Sequence, residues 1–223
     1  MLRYLTICLF LLIAANLSAQ FGINASYFMP EAKVLMPEGS ESVEFKANGP
    51  AVGINYWFRL KNKRIEFLPE FNYSTANESL ENLSFDAKIQ HFNVYFNTRI
   101  YFLNFAGDCD CPTFSKEGPT LEKGLFLQLS PGFSYVTQTY AWGDKTRETD
   151  VSTFSIGAGL GFDVGINDYV TVTPFGGLRY FPSYNWNLDD FLNTTAPEDP
   201  VSSESEALMA WYLGVHVGLR FDN

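Results

Sequence analysis

The feature that most narrows the fold of this chain is a period of two, held without a break from Phe154 to Ile166. Phe154, Ile156, Ala158, Leu160, Phe162, Val164 and Ile166 take one parity; Ser155, Gly157, Gly159, Gly161, Asp163 and Gly165 take the other. Successive side chains of a strand point to opposite faces, so this segment is a strand with one wholly apolar face and one small, polar face. The glycines are no phosphate loop, because a dinucleotide fingerprint needs a helix after them and the alternation never turns helical.

Seven further segments repeat the pattern: 21–28, 51–60, 64–74, 88–104, 124–138, 169–181 and 207–221. In the last, Met209, Trp211, Leu213, Val215, Val217, Leu219 and Phe221 alternate with Ala210, Tyr212, Gly214, His216, Gly218 and Arg220. The connections alternate as well. Those near 61–63, 105–123 and 167–168 lie at one end, and longer polar ones near 30–49, 75–87, 139–150 and 182–206 lie at the other. An even number of strands with this connectivity predicts an all-β fold, an eight-stranded antiparallel transmembrane up-and-down β-barrel, with both termini on the periplasmic side. A soluble barrel would turn the apolar parity inward, crowding a core with Phe and Leu while glycines lined the solvent. Tyr27, Tyr56, Tyr73, Tyr135 and Tyr180 are placed as an interfacial girdle.

Residues 1–19 have a basic residue, Arg3, then an apolar run from Leu5 to Ala15 and small residues Ser18 and Ala19. That is a secretory signal peptide, too short to span a bilayer, which leaves residues 20–223 as a single barrel domain. The net charge of −10 excludes nucleic acid as a partner, since phosphate binding needs a basic face. Much of the acid lies in the long connections, as Asp189, Asp190, Glu198, Asp199, Glu204 and Glu206 show. The first inner turn, with Lys61, Lys63 and Arg64, is basic.

Three strands carry a proline: Pro69, Pro131 and Pro174. Each removes a ladder donor in a barrel that has no edge on which to hide the loss, so bulges are expected there.

An eight-stranded barrel has an interior that side chains fill, which argues against an open channel. The inward parity carries Arg59, Arg99, Arg179 and Arg220 against Glu66, Glu70 and Asp163, joined by His91 and His216. Near-matched buried charges are expected to form a structural polar network. With no histidine on the outward parity, no catalytic site is expected and the chain reads as a non-enzyme; no cofactor is expected, and no metal is assigned. Cys109 and Cys111 are the cysteines left after signal removal. A strained disulfide, a contact with a partner, or metal binding with Asp108 and Asp110 all remain open for this pair.

The signal ending Ser18-Ala19-Gln20, the eight aromatic-rich strands, "GDCDCPTFSK" in the longest inner turn, "LSPGFSY" after it and "GVHVGLRF" at the end resemble the PorT-like outer-membrane β-barrel family of Gram-negative bacteria. The resemblance implies an integral outer-membrane protein in contact with membrane lipid. Some members of that family are accessory parts of a protein-secretion system, so periplasmic or outer-membrane secretion proteins are the implied partners. The alternatives are an outer-loop binding or envelope-integrity protein and, less well fitted to a filled lumen, a narrow channel. The mature chain is expected to begin at Gln20, which N-terminal sequencing of the membrane-extracted protein checks.

Overall fold

The computed structural model describes residues 20–34, 43–59, 64–80, 85–102, 124–142, 144–167, 169–184 and 206–219. Among them are the strands β1 (Phe21–Val34), β2 (Val43–Phe45), β3 (Gly49–Tyr56), β4 (Phe58–Arg59), β5 (Ile65–Leu80), β6 (Phe85–Ile100), β7 (Leu125–Trp142), β8 (Lys145–Phe162), β9 (Val164–Gly165), β10 (Val170–Tyr184) and β11 (Glu206–Leu219). One residue, Trp57, separates β3 from β4, and another, Asp163, separates β8 from β9, so each pair makes a single stave. β2 is a short strand on the upper part of β1. The remaining staves pair antiparallel in chain order, and β11 returns to β1 from Phe21↔Leu219 to Glu31↔Met209. The sheet is therefore a closed eight-stranded barrel.

The wall is inverted relative to a water-soluble barrel. Ile23, Ile54, Phe71, Val94, Phe133, Phe154 and Leu213 point outward and are about half to two-thirds exposed, whereas Asn24, Asn55, Glu70, Asn93, Ser134 and Ser155 on the other parity are buried. Every strand follows the parity expected of it. Such a surface is stable where the surrounding solvent is hydrocarbon, which makes this a transmembrane barrel. At the end that carries the chain termini, Phe21, Tyr56, Phe58, Phe67 and Phe96 form a chain of ring contacts with centroids 5.3–6.4 Å apart. Toward the other end, Tyr27 donates to Asn48 Oδ1, Tyr73 accepts from Gln90, and Tyr135 bonds Asp150. These rings are apolar below and tied to polar groups above, as an interfacial girdle requires.

The prolines do not make the expected bulges. On the β3/β4–β5 ladder Asn55↔Glu70 and Phe58↔Phe67 flank Pro69 in one unbroken register. Tyr95↔Gly132 and Thr98↔Leu129 do the same around Pro131, and Phe175↔Gly161 and Val172↔Val164 around Pro174. Each proline thus costs pairing locally and shifts nothing. Neighbouring backbone is satisfied on the other side, where Trp57 N donates to Gln20 O and Asp163 N to Gly124 O, both at 3.0 Å. The register shift on the β10–β11 ladder falls instead between Phe181 and Tyr184, a stretch that contains Pro182. One extra residue there turns Tyr184 from the outward parity into the lumen, where it is fully buried.

Two of the expected long connections are largely strand. β5 and β6 stay paired from Ile65↔Ile100 to Leu80↔Phe85, and β7 and β8 from Leu125↔Phe162 to Trp142↔Lys145. Beyond the tyrosine girdle these hairpins run on for seven residues, about 20 Å of chain, as a polar collar. The sequence hid this because water on the outer face removes the apolar half of the alternation. If the wall faces lipid, Ile54→Arg is expected to destabilise the barrel by about 2–4 kcal/mol, measured by reversible urea unfolding in lipid vesicles.

Candidate functional site: the barrel lumen

Following the inward parity from the termini end to the collar, the lumen divides into three clusters. The first gathers Trp57, Arg64, Glu66, Arg99, Tyr101, Asp163, Thr171, Thr173 and His216, residues drawn from six of the eight staves or their ends. Tyr101, fully buried, places its hydroxyl 2.7 Å from Glu66 Oε2 and 2.8 Å from Asp163 Oδ2. Thr173 donates to the other oxygen of Asp163. Arg99 donates from Nε to Gln128 Oε1 at 3.1 Å and lays its guanidinium 4.6 Å from the centre of the Phe126 ring. His216 Nε2 lies 3.1 Å from Asn55 Oδ1. Glu66, whose Oε1 has no hydrogen-bond partner among the described residues, lines a cavity of about 20 Å³, room for a single water. Arg64, read from the sequence as part of the basic first inner turn, is buried here, and its carbonyl accepts from Tyr101 N.

The second cluster sits in the middle of the wall. Glu70 accepts from Asn97 at 2.7 Å and from Asn72 at 3.1 Å, and it is attracted by Arg179. Arg179 stands 3.5 Å above the Tyr95 ring and donates to Ser130 O and Ser155 Oγ. The glycines of the opening stretch find their purpose at this level. A Cβ on Gly157 would press on the Arg179 guanidinium, and one on Gly159 would meet the Tyr212 hydroxyl and the Gly176 carbonyl. Their absence lets two large polar side chains fold down against the wall. A cavity of about 40 Å³ remains between Glu70, Tyr95, Arg179 and Tyr212.

The third cluster, at the collar end, is not polar. Phe28, Ile89, Val136, Tyr140, Phe181, Tyr184 and Leu208 form a buried apolar plug. His91 lies inside it, edge-on to Phe28 and Phe181 with centroids 5.2 and 5.7 Å away and stacked on Tyr184 at 6.0 Å. Its Nε2 is 3.3 Å from the Tyr184 hydroxyl. The expected polar lumen is therefore polar for its lower two clusters and aromatic above. Above the girdle, on the collar, partial burial holds the Glu78 carboxyl above its ordinary range, against the pull of Lys46.

Of the residues singled out from sequence, Glu66, Arg99, Asp163 and His216 come together, Glu70 and Arg179 form a separate pair, and His91 stands apart in the plug. Arg59 is in β4, in register with Glu66, and its side chain lies outside the described residues, as do Arg220, Cys109, Cys111 and residues 1–19. Tyr101, Tyr95 and Tyr212 were missed as members of the network, although each is on the inward parity and could have been found by it. No group of metal-ligating side chains occurs among the described residues.

No protein-family model and no curated protein matches the chain. Solved structures similar to it include Ail, the attachment invasion locus protein of Yersinia pestis, at 10% identity over 91% of this chain and 100% of that one, with a TM-score of 0.49. Neisserial surface protein A is 11% identical over 90% and 97%, with a TM-score of 0.46. The outer membrane protease OmpT from Escherichia coli is 9% identical over 92% and 98%, with a TM-score of 0.45. At these values no residue role passes from them to this chain.

Removing the Arg179 guanidinium leaves Glu70 buried without its counter-charge. Arg179→Met is expected to cost about 3–5 kcal/mol of stability, and Glu70→Gln in the same chain to recover part of it. A double-mutant cycle in urea measures both.

Proposed function

We propose that this protein is an integral outer-membrane β-barrel, with its termini in the periplasm, that works through its surfaces rather than through its lumen. The observation that carries the reading is the inverted wall around a filled interior. Half-exposed Ile, Val, Leu and Phe surround a lumen whose two polar clusters leave cavities of only about 20 and 40 Å³. A hydrated ion path needs a continuous opening, and the Arg179–Tyr95 contact and the plug around His91 both interrupt it. The buried charges fix the barrel; they are not poised for catalysis, and the protein is non-enzymatic.

Within that role, an accessory part in envelope protein secretion or assembly is favoured by two features of the sequence. One is the resemblance to the PorT-like family. The other is the length of the inner turn read from the sequence near 105–123, with Cys109 and Cys111, which exceeds what a hairpin needs for closure. The second reading, an outer binding or envelope-integrity protein, draws on the polar collar made by β5–β8.

The test compares the protein content of the periplasm and medium in a deletion strain and its parent. Exported proteins retained in the periplasm are expected, with rescue by the intact chain; an unchanged profile removes the secretion reading and leaves the collar as the working surface. Purified protein in planar bilayers is expected to give no steady conductance.

A further inference from the structure

The outward parity of β6 continues past the girdle, and its chemistry changes in a fixed order. From the wall toward the tip it reads Val94, Phe92, Gln90, Lys88 and Asp86. Across the ladders Phe71 and Phe133 flank Val94, and Tyr73 and Tyr135 flank Phe92. Farther up, Thr75 and Thr137 flank Gln90, Asn77 and Thr139 flank Lys88, and Ser79 and Ala141 flank Asp86. These rows are about 7 Å apart along the strand. They pass from hydrocarbon through aromatic rings, then hydroxyl and amide groups, to a cation and last an anion.

Two concavities lie along the same column. The lower, about 830 Å³, is on the lipid-facing wall and is lined by Phe71, Phe92, Val94 and Phe133 together with Val52 and Ile54. The upper, about 410 Å³, is lined by Asn77, Ser79, Asp86, Lys88 and Thr139. A hydrocarbon chain in the lower one carries its polar head across the girdle and into the upper one.

The charges of the upper concavity select that head. Lys88 is exposed and makes no hydrogen bond or ion pair among the described residues. Asp86, one row farther from the membrane, accepts from Ser79 and is otherwise open. Two more acids share this face. Asp150 is held by Thr137 and Tyr135, and Glu148, in register with Thr139, is two strands from Lys88, about 10 Å. A phospholipid has its phosphate beside the glycerol and any amine beyond it, the same order as cation and then anion here. A purely anionic head would meet Lys88 but face Asp86 and Glu148 with no counter-charge.

We propose that this column binds a single zwitterionic phospholipid, with an acyl chain against Phe71, Val94 and Phe133, its phosphate at Lys88 and its ammonium at Asp86. The inference needs the wall to face lipid and is independent of any role in secretion.

The test titrates the mature chain in micelles with phosphatidylethanolamine or phosphatidylglycerol of the same acyl chains and counts retained lipid by native mass spectrometry. One phosphatidylethanolamine is expected to stay bound at a concentration about fivefold below that needed for phosphatidylglycerol, the scale of one charge at a membrane surface. Lys88→Glu is expected to weaken retention about fivefold or more, and Asp86→Asn to bring the two lipids level. Both side chains are exposed, so the variants are expected to fold as the parent does, which circular dichroism checks. Unchanged retention in Lys88→Glu overturns the site. Equal retention of the two lipids by the parent overturns the zwitterionic assignment, and so does displacement of the phosphatidylethanolamine by lipopolysaccharide.

Discussion

Everything in this structure follows from the requirement that a backbone in hydrocarbon satisfy its own polar groups. A sheet can do so only by closing, and closure of β11 on β1 decides the rest. It forces one parity of every strand toward lipid and the other into a space too narrow to stay empty. It also explains why the three wall prolines interrupt their ladders without moving them. A shift in register would exchange the two faces and put Glu70 or Arg179 into the membrane, a far larger penalty than one missing hydrogen bond. The one shift on the β10–β11 ladder lies above the girdle, where facing water carries no such cost.

The lumen solves a second problem created by the first. Eight strands bring Glu66, Glu70, Arg99, Asp163 and Arg179 inside, and charges there must be met by charges and amides at hydrogen-bond distance. Asn72 and Asn97 around Glu70, and Gln128 between Arg99 and Ser130, are the neutral connectors that make this possible. Toward the collar the same inward positions are filled by Phe28, Ile89, Val136 and Phe181 instead, so the interior changes from a hydrogen-bonded column to an ordinary apolar core.

The wall was readable from sequence because parity is local: knowing that Ile156 points out determines Gly157 and Ala158. The content of the lumen was readable only as a list of residues, since parity says what faces inward and nothing about height. Tyr101 and Asp163 are 62 residues apart, and their meeting depends on how far each strand has climbed by the time it passes the other. Tyr184 was unreadable for a different reason, because the bulge before it reverses the parity on which the reading depends. The collar strands escaped because the pattern reverses there: Asn77, Ser79, Asp86 and Lys88 face outward while Ala76, Ala87 and Ile89 face inward, so the apolar outward parity that marks the wall is gone.

The paired height of β5 to β8 has a mechanical consequence. Because β5–β6, β6–β7 and β7–β8 stay in register up to their tips, neighbouring strands keep the spacing of a sheet, about 5 Å, well above the girdle. A molecule approaching that end of the barrel meets a ruled surface of hydroxyl, amide and charged groups whose separations are set by backbone geometry. Recognition there would lose little entropy to ordering, so small changes of side chain on this palisade could retune what it binds without touching the barrel beneath.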